Sequence, residues 1–210
     1  MRKHYLSCLL LGLLGLATSS ADAAENEATA YLVVRPVICR SDDGKEPAVM
    51  RVDRERVGAV YAQAGIQLIW SEPVFFDNAS ARDGSIGPDQ VVKMGLEREI
   101  WAKNDPGIAL IFVNRILGKA GPRGLGMNPG PVCFVALPEK ETEPDMEVFV
   151  TAHESTHCLG LIHVVDDPKV PNEVPNIMGD GEMKDRVGPN ALHPTQIKTM
   201  RNSPLLVWKK

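Results

Sequence analysis

Apolar runs alternate along this chain with stretches of helical spacing. Residues 31–39 (Tyr-Leu-Val-Val-Arg-Pro-Val-Ile-Cys) are rich in Val and Ile and predict a buried strand. Residues 66–70, 108–113 and 132–137 carry similar runs and predict three more strands. Asp53 is placed to cap a helix in which Val57, Val60, Tyr61 and Ala64 recur at helical spacing, with Gly65 as its stop. Pro88 opens a second helix toward Trp101, with Gly95 a weak point inside it. A third helix begins at Pro144 or Asp145. His193-Pro194 opens a last one to about Asn202, with Ile197 and Met200 on one face. Residues 77–88 hold Asn, Ser, Asp and Gly and predict a loop. Residues 118–131 hold many Gly and Pro and predict irregular chain, with a short edge strand near 125–128. Pro168, Pro171 and Pro175 keep the chain open after the third helix.

Strand, helix, strands, helix, loop, helix is the order of an α+β domain with an α/β-like mixed sheet. The 210 residues, 44% apolar and 24% charged, suffice for one domain with a real core. The break falls after Gly160, giving a sheet-bearing part (24–160) and a short loop-plus-helix part (161–210). A net charge of -4 argues against a nucleic-acid binder, which carries a basic face.

The N-terminus predicts export. Arg2 and Lys3 precede an apolar run over 6–17, and Ala21-Asp22-Ala23 offers the small residues of a cleavage site after Ala23. The run is shorter than the roughly 20 residues that cross a bilayer. Cys8 lies at the start of the run, the wrong end for lipid attachment. The mature chain, 24–210, is expected outside the cytoplasm, extracellular or periplasmic, with no membrane span.

The decisive stretch is Thr151-Ala152-His153-Glu154-Ser155-Thr156-His157-Cys158-Leu159-Gly160-Leu161-Ile162-His163. Residues four apart share one face of a helix, so His153 and His157 can bind one metal from a rigid element. Imidazole is a good zinc ligand. Glu154 lies beside the metal, placed to hold water rather than to ligate, the general base of an H-E-x-x-H arrangement. A catalytic zinc takes three protein ligands plus water. Gly160 can end the helix in a left-handed turn and bring His163 back to the same ion. The competing readings are a solvated helix face, or a third ligand from Glu173 or Glu182. Met178 reads either as gap-filling core or as part of the site. Asp166, Asp167, Asp180 and Asp185 read as solvated loop acids before calcium ligands, and His193 as a helix cap before a substrate contact. Export permits a disulfide. A Cys39–Cys133 pair is preferred because Cys158 lies in the metal-binding helix, with three buried free thiols as the alternative.

The full string H-E-x-x-H-x-x-G-x-x-H resembles the metzincin clan of zinc peptidases. Asn176-Ile177-Met178-Gly179-Asp180 resembles the methionine turn of that clan, and residues 192–197 its closing helix. The resemblance covers 30–210 and implies one catalytic zinc on His153, His157 and His163, Glu154 as base, and Met178 as an apolar floor. It also implies a protein or peptide substrate stretched along an edge strand from 123–128. Val164 follows the third histidine and matches none of the familiar subfamilies; Gly179-Asp180 offers no assisting tyrosine of the astacin kind. The expected activity is peptide-bond hydrolysis by a secreted zinc endopeptidase. The alternatives are a non-catalytic zinc module and a zinc hydrolase of non-peptide amides.

Overall fold

The computed structural model describes residues 30–98, 100, 106–118, 121–139, 144–171, 176–179 and 191–209. Residues 1–29, with the expected signal segment and Cys8, and Trp101, Glu173, Pro175, Asp180, Glu182 and Asp185 lie outside the described residues.

The fold is built on its first strand. β1 (Ala30–Arg40) is long enough for each of its edges to take two neighbours. On one edge, β2 (Ile66–Trp70) pairs with 30–34 and β3 (Val74–Asp77) with 37–40. On the other, β7 (Val207–Trp208) pairs with 30–31 and β4 (Ile108–Val113) with 34–38. β6 (Val132–Ala136) lies parallel to β4, and β5 (Gly124–Gly126) closes the far side antiparallel to β6. The result is a seven-stranded mixed sheet in the order β2-β1-β4-β6-β5, with β3 and β7 also on β1. This is the expected mixed α+β architecture.

Alternation along the strands sorts side chains between two cores. Ile108, Leu110 and Phe112 of β4 join one core with Val57, Val60 and Tyr61 of α1 (Arg54–Ala62), Val148 and Ala152 of α4 (Pro144–Cys158), and Met200 of α5 (Pro194–Arg201). Ala109, Ile111 and Val113 join the other, with Ala81 of α2 (Ala79–Arg82) and Val91 of α3 (Pro88–Glu97). Burial on both faces explains the near-continuous apolar runs.

The same alternation corrects the preferred disulfide. Ile38 is level with Phe112, and Phe112 with Val135. Cys39 therefore faces the α3 core while Cys133 faces the α4 core. All three described cysteines are buried free thiols, and the Cys133 and Cys158 thiols donate to the Ala109 and Glu154 carbonyls, each at 3.9 Å.

Local signals explain most boundaries. The Asp53 carboxylate accepts from the Arg56 N–H at 3.0 Å, and Gly65 takes φ 67° where the chain leaves α1. The expected loop over 77–88 contains the one-turn α2, capped by Asn78, and follows the unforeseen β3. The expected edge strand lies one or two residues earlier than its sequence pattern indicates, as β5.

α4 packs on β5 with nothing between them but glycine. Gly124 and Gly126 share one face of the strand, and that face meets the helix. A Cβ at Gly126 would lie 2.5 Å from the Glu154 carbonyl oxygen, and one at Gly124 would strike the Glu154 side chain. Elsewhere α4 is tied down by polar contacts. Tyr61 donates to Ser155 Oγ at 2.6 Å, and Arg51 binds the buried Glu147 carboxylate at 3.0 Å through Nε. Gly126→Ala is expected to lower stability by about 1–3 kcal/mol through overpacking. Gly58→Ala, inside α1 with open space around it, is expected to raise it by about 0.5–1 kcal/mol. Chemical denaturation of both variants checks the opposite signs.

Candidate metal centre

The site grows from the end of α4. His153 and His157 stand one turn apart on the helix. The helix then closes as a Schellman motif, in which the Gly160 N–H bonds to the His157 carbonyl at 2.9 Å and the Leu161 N–H to the Thr156 carbonyl at 3.3 Å. Gly160 takes φ 93°, a conformation that favours glycine. The chain turns back, and His163 Nε2 arrives 3.1 Å from His153 Nε2 and 3.2 Å from His157 Nε2.

These separations bear on what the three rings can hold. His153 Nδ1 lies 2.7 Å from the Ile177 carbonyl, and His157 Nδ1 lies 2.7 Å from the Leu161 carbonyl. A carbonyl can only accept, so each Nδ1 is the protonated nitrogen and each Nε2 presents a lone pair. A tetrahedral zinc with bonds of about 2.0–2.1 Å spaces its nitrogen ligands by roughly 3.3–3.4 Å. The observed spacings fall within a few tenths of an ångström of that. Neutral imidazoles oriented by Nδ1–H bonds to backbone oxygen are also the donor set zinc prefers. Among the described residues, these histidines are the one group of three or more His, Cys, Asp or Glu side chains that converge. Asp166 and Asp167 form no such group, and both glutamates offered as rival ligands lie outside the described residues.

The methionine turn is wired to both sides of the centre. Met178 is fully buried, and its sulfur accepts from the Thr156 hydroxyl on α4 at 3.0 Å. Its carbonyl accepts from the Val164 N–H at 2.9 Å, next to His163. Its own N–H bonds to Asn176 Oδ1 at 2.9 Å. The buried Asn176 amide in turn pairs with Gln196 of α5, donating at 2.7 Å and accepting at 3.0 Å. His193 caps α5, as expected.

Glu154 lines an open cleft of about 340 Å³ together with His157, His163, Ile162, Leu125 and Asn128. Burial pushes its carboxyl up to about 7, opposed by a hydrogen bond from the Gly126 N–H. A dication beside it would draw that value back down. A larger hollow of about 480 Å³ lies between α1 and β2, lined by neither histidine nor cysteine.

The structure thus brings together His153, His157, His163 and Glu154, with Gly160 as the bend and Met178 beneath α4. The sequence reading missed Gly124, Gly126, Asn128, Thr156, Asn176 and Gln196. A glycine pair two apart in an edge strand is a usable local sign of close backbone approach. The amide partners carry no local sign, because each meets its partner from a distant element.

No protein-family model matches this chain, and no curated protein matches it. Among solved structures it resembles an archaemetzincin from Methanopyrus kandleri, with 14% sequence identity over 81% of this chain and 94% of the other, at a TM-score of 0.53. It also matches an archaemetzincin from Archaeoglobus fulgidus complexed with malonate, at 14% identity, 80% and 99% coverage and a TM-score of 0.44. The chain therefore has a mixed α+β fold similar to that of the Methanopyrus archaemetzincin.

Gln196→Leu removes both partners of the buried Asn176 amide in that pair. The expected cost is about 1–3 kcal/mol. A thermal melt checks it, and an unchanged midpoint would show that the amide pair holds nothing.

Proposed function

We propose that this chain is a zinc-dependent metallopeptidase, with His153, His157 and His163 as the metal ligands and Glu154 as the general base. The observation that carries the reading is the convergence of three Nε2 atoms at zinc-like spacing beside a carboxylate in an open cleft. Zinc bound there supplies Lewis acidity, lowering the pKa of water to about 7 and polarising a carbonyl. Glu154 takes the proton of the attacking water and later delivers it to the leaving amine. β5 offers its outer edge to an extended substrate, so that backbone hydrogen bonds hold a polypeptide across the cleft. That strand-like mode of binding underlies our reading of the activity as endopeptidase action on protein or peptide substrates.

A structural zinc module is closed by a fourth protein ligand. Among the described residues the converging group has three members, which favours the hydrolase. We further propose that the chain is exported and that residues 1–23 are removed.

Glu154→Gln is expected to lower kcat/KM for peptide cleavage by roughly 10²–10⁴-fold. It should leave one zinc per chain by elemental analysis. Activity equal to wild type would remove Glu154 from the chemistry. His163→Ala is expected to lose the metal and the activity together; full zinc occupancy in that variant would remove the third ligand. Intact mass of the exported protein should begin at Ala24, whereas a product retaining residue 1 in the cytoplasmic fraction counts against export.

A further inference from the structure

We propose that Asn128 is a positioning residue of the metal centre, holding the Leu161 carbonyl that orients His157 and leads into His163. The inference rests on the zinc reading above. Asn128 lies two residues beyond β5, on the wall of the cleft. Its Nδ2 donates to the Leu161 carbonyl at 2.7 Å, across 33 residues of sequence. The same oxygen accepts from His157 Nδ1 at 2.7 Å. A carbonyl oxygen has two lone pairs, so these two donors saturate it.

The location makes the contact consequential. Leu161 follows the left-handed Gly160, beyond the helical ladder that fixes carbonyls earlier in α4. Its N–H is held by Thr156 and its side chain is buried, but the carbonyl direction is set from across the cleft by Asn128. A rotated carbonyl would release the His157 Nδ1–H and with it the aim of Nε2. It would also turn the peptide that runs through Ile162 to His163. One neutral amide therefore governs the ring of one ligand and the approach of another. An amide suits the task, because it donates without placing charge beside a dication site. Aspartate has the same shape but no donor when ionised, and leucine has similar bulk and no donor at all.

The test measures zinc binding to metal-free wild type, Asn128→Leu and Asn128→Asp by chelator competition. The visible absorption of the cobalt-substituted proteins and the melting temperature of each metal-free protein are recorded alongside. The expected result is zinc affinity about tenfold weaker in both variants, a shifted cobalt spectrum, and a metal-free melting temperature lowered by only a few degrees. Variants that melt lower yet bind zinc as tightly as wild type, with the wild-type cobalt spectrum, would mark Asn128 as structural and overturn the proposal. Failure of both variants to fold would do the same. Wild type that binds no zinc would bring down the zinc reading itself, an outcome distinct from variants that merely match a zinc-binding wild type.

Discussion

Imidazole nitrogens that all face one point do not stay there unaided. The Nε2 atoms of His153 and His157 lie 3.1 and 3.2 Å from His163 Nε2, and three rings so close must each be held in orientation. The surroundings have to hold the rings in place before any ion arrives. They do so through groups that cannot rotate freely: a helix for two of the rings, a glycine-closed bend for the third, and backbone carbonyls behind two of them. Preorganisation of this kind moves the cost of ordering the three rings into folding, ahead of any binding event.

Each support comes from a different part of the chain. β5 meets α4 at close range through Gly124 and Gly126, so the edge strand and the helix have one possible separation. Asn128 ties the far end of that edge to the Leu161 carbonyl. The methionine turn joins α4 through Thr156 and the His163 segment through Val164, and is itself held by the amide pair with α5. The sheet supplies the rigid base under all of this. Residues from both sides of Gly160 converge on one centre, and the groups that brace them come from elements far apart in sequence.

Much of this was readable before any fold was known, and the readable part shares a cause. The ligand spacing, the Gly160 bend, the Asp53 cap and the apolar strands are local features, fixed by neighbours within a turn or two. β3 and β7 escaped because each is short and pairs with β1 only through long-range contact. Asn176 and Gln196 escaped for the same reason: an amide in isolation shows nothing of the partner it will meet. The disulfide preference failed on parity. Cys39 and Cys133 lie in strands separated by β4, and the register places them on opposite faces of the sheet. No sequence spacing reveals that without the register.

The two-edged first strand has a consequence for how the molecule is made. β1 leaves the ribosome before each strand it pairs with, and Ala30 finds its mate in Trp208 of β7, the last strand among the described residues. Part of one β1 edge is therefore without its partner until β7 has been made. Such late, distant pairing is slow to form and keeps an apolar ribbon available to wrong neighbours in the meantime. A chain ordered in this way gains from any delay in the collapse of β1 onto other strands until β7 is at hand.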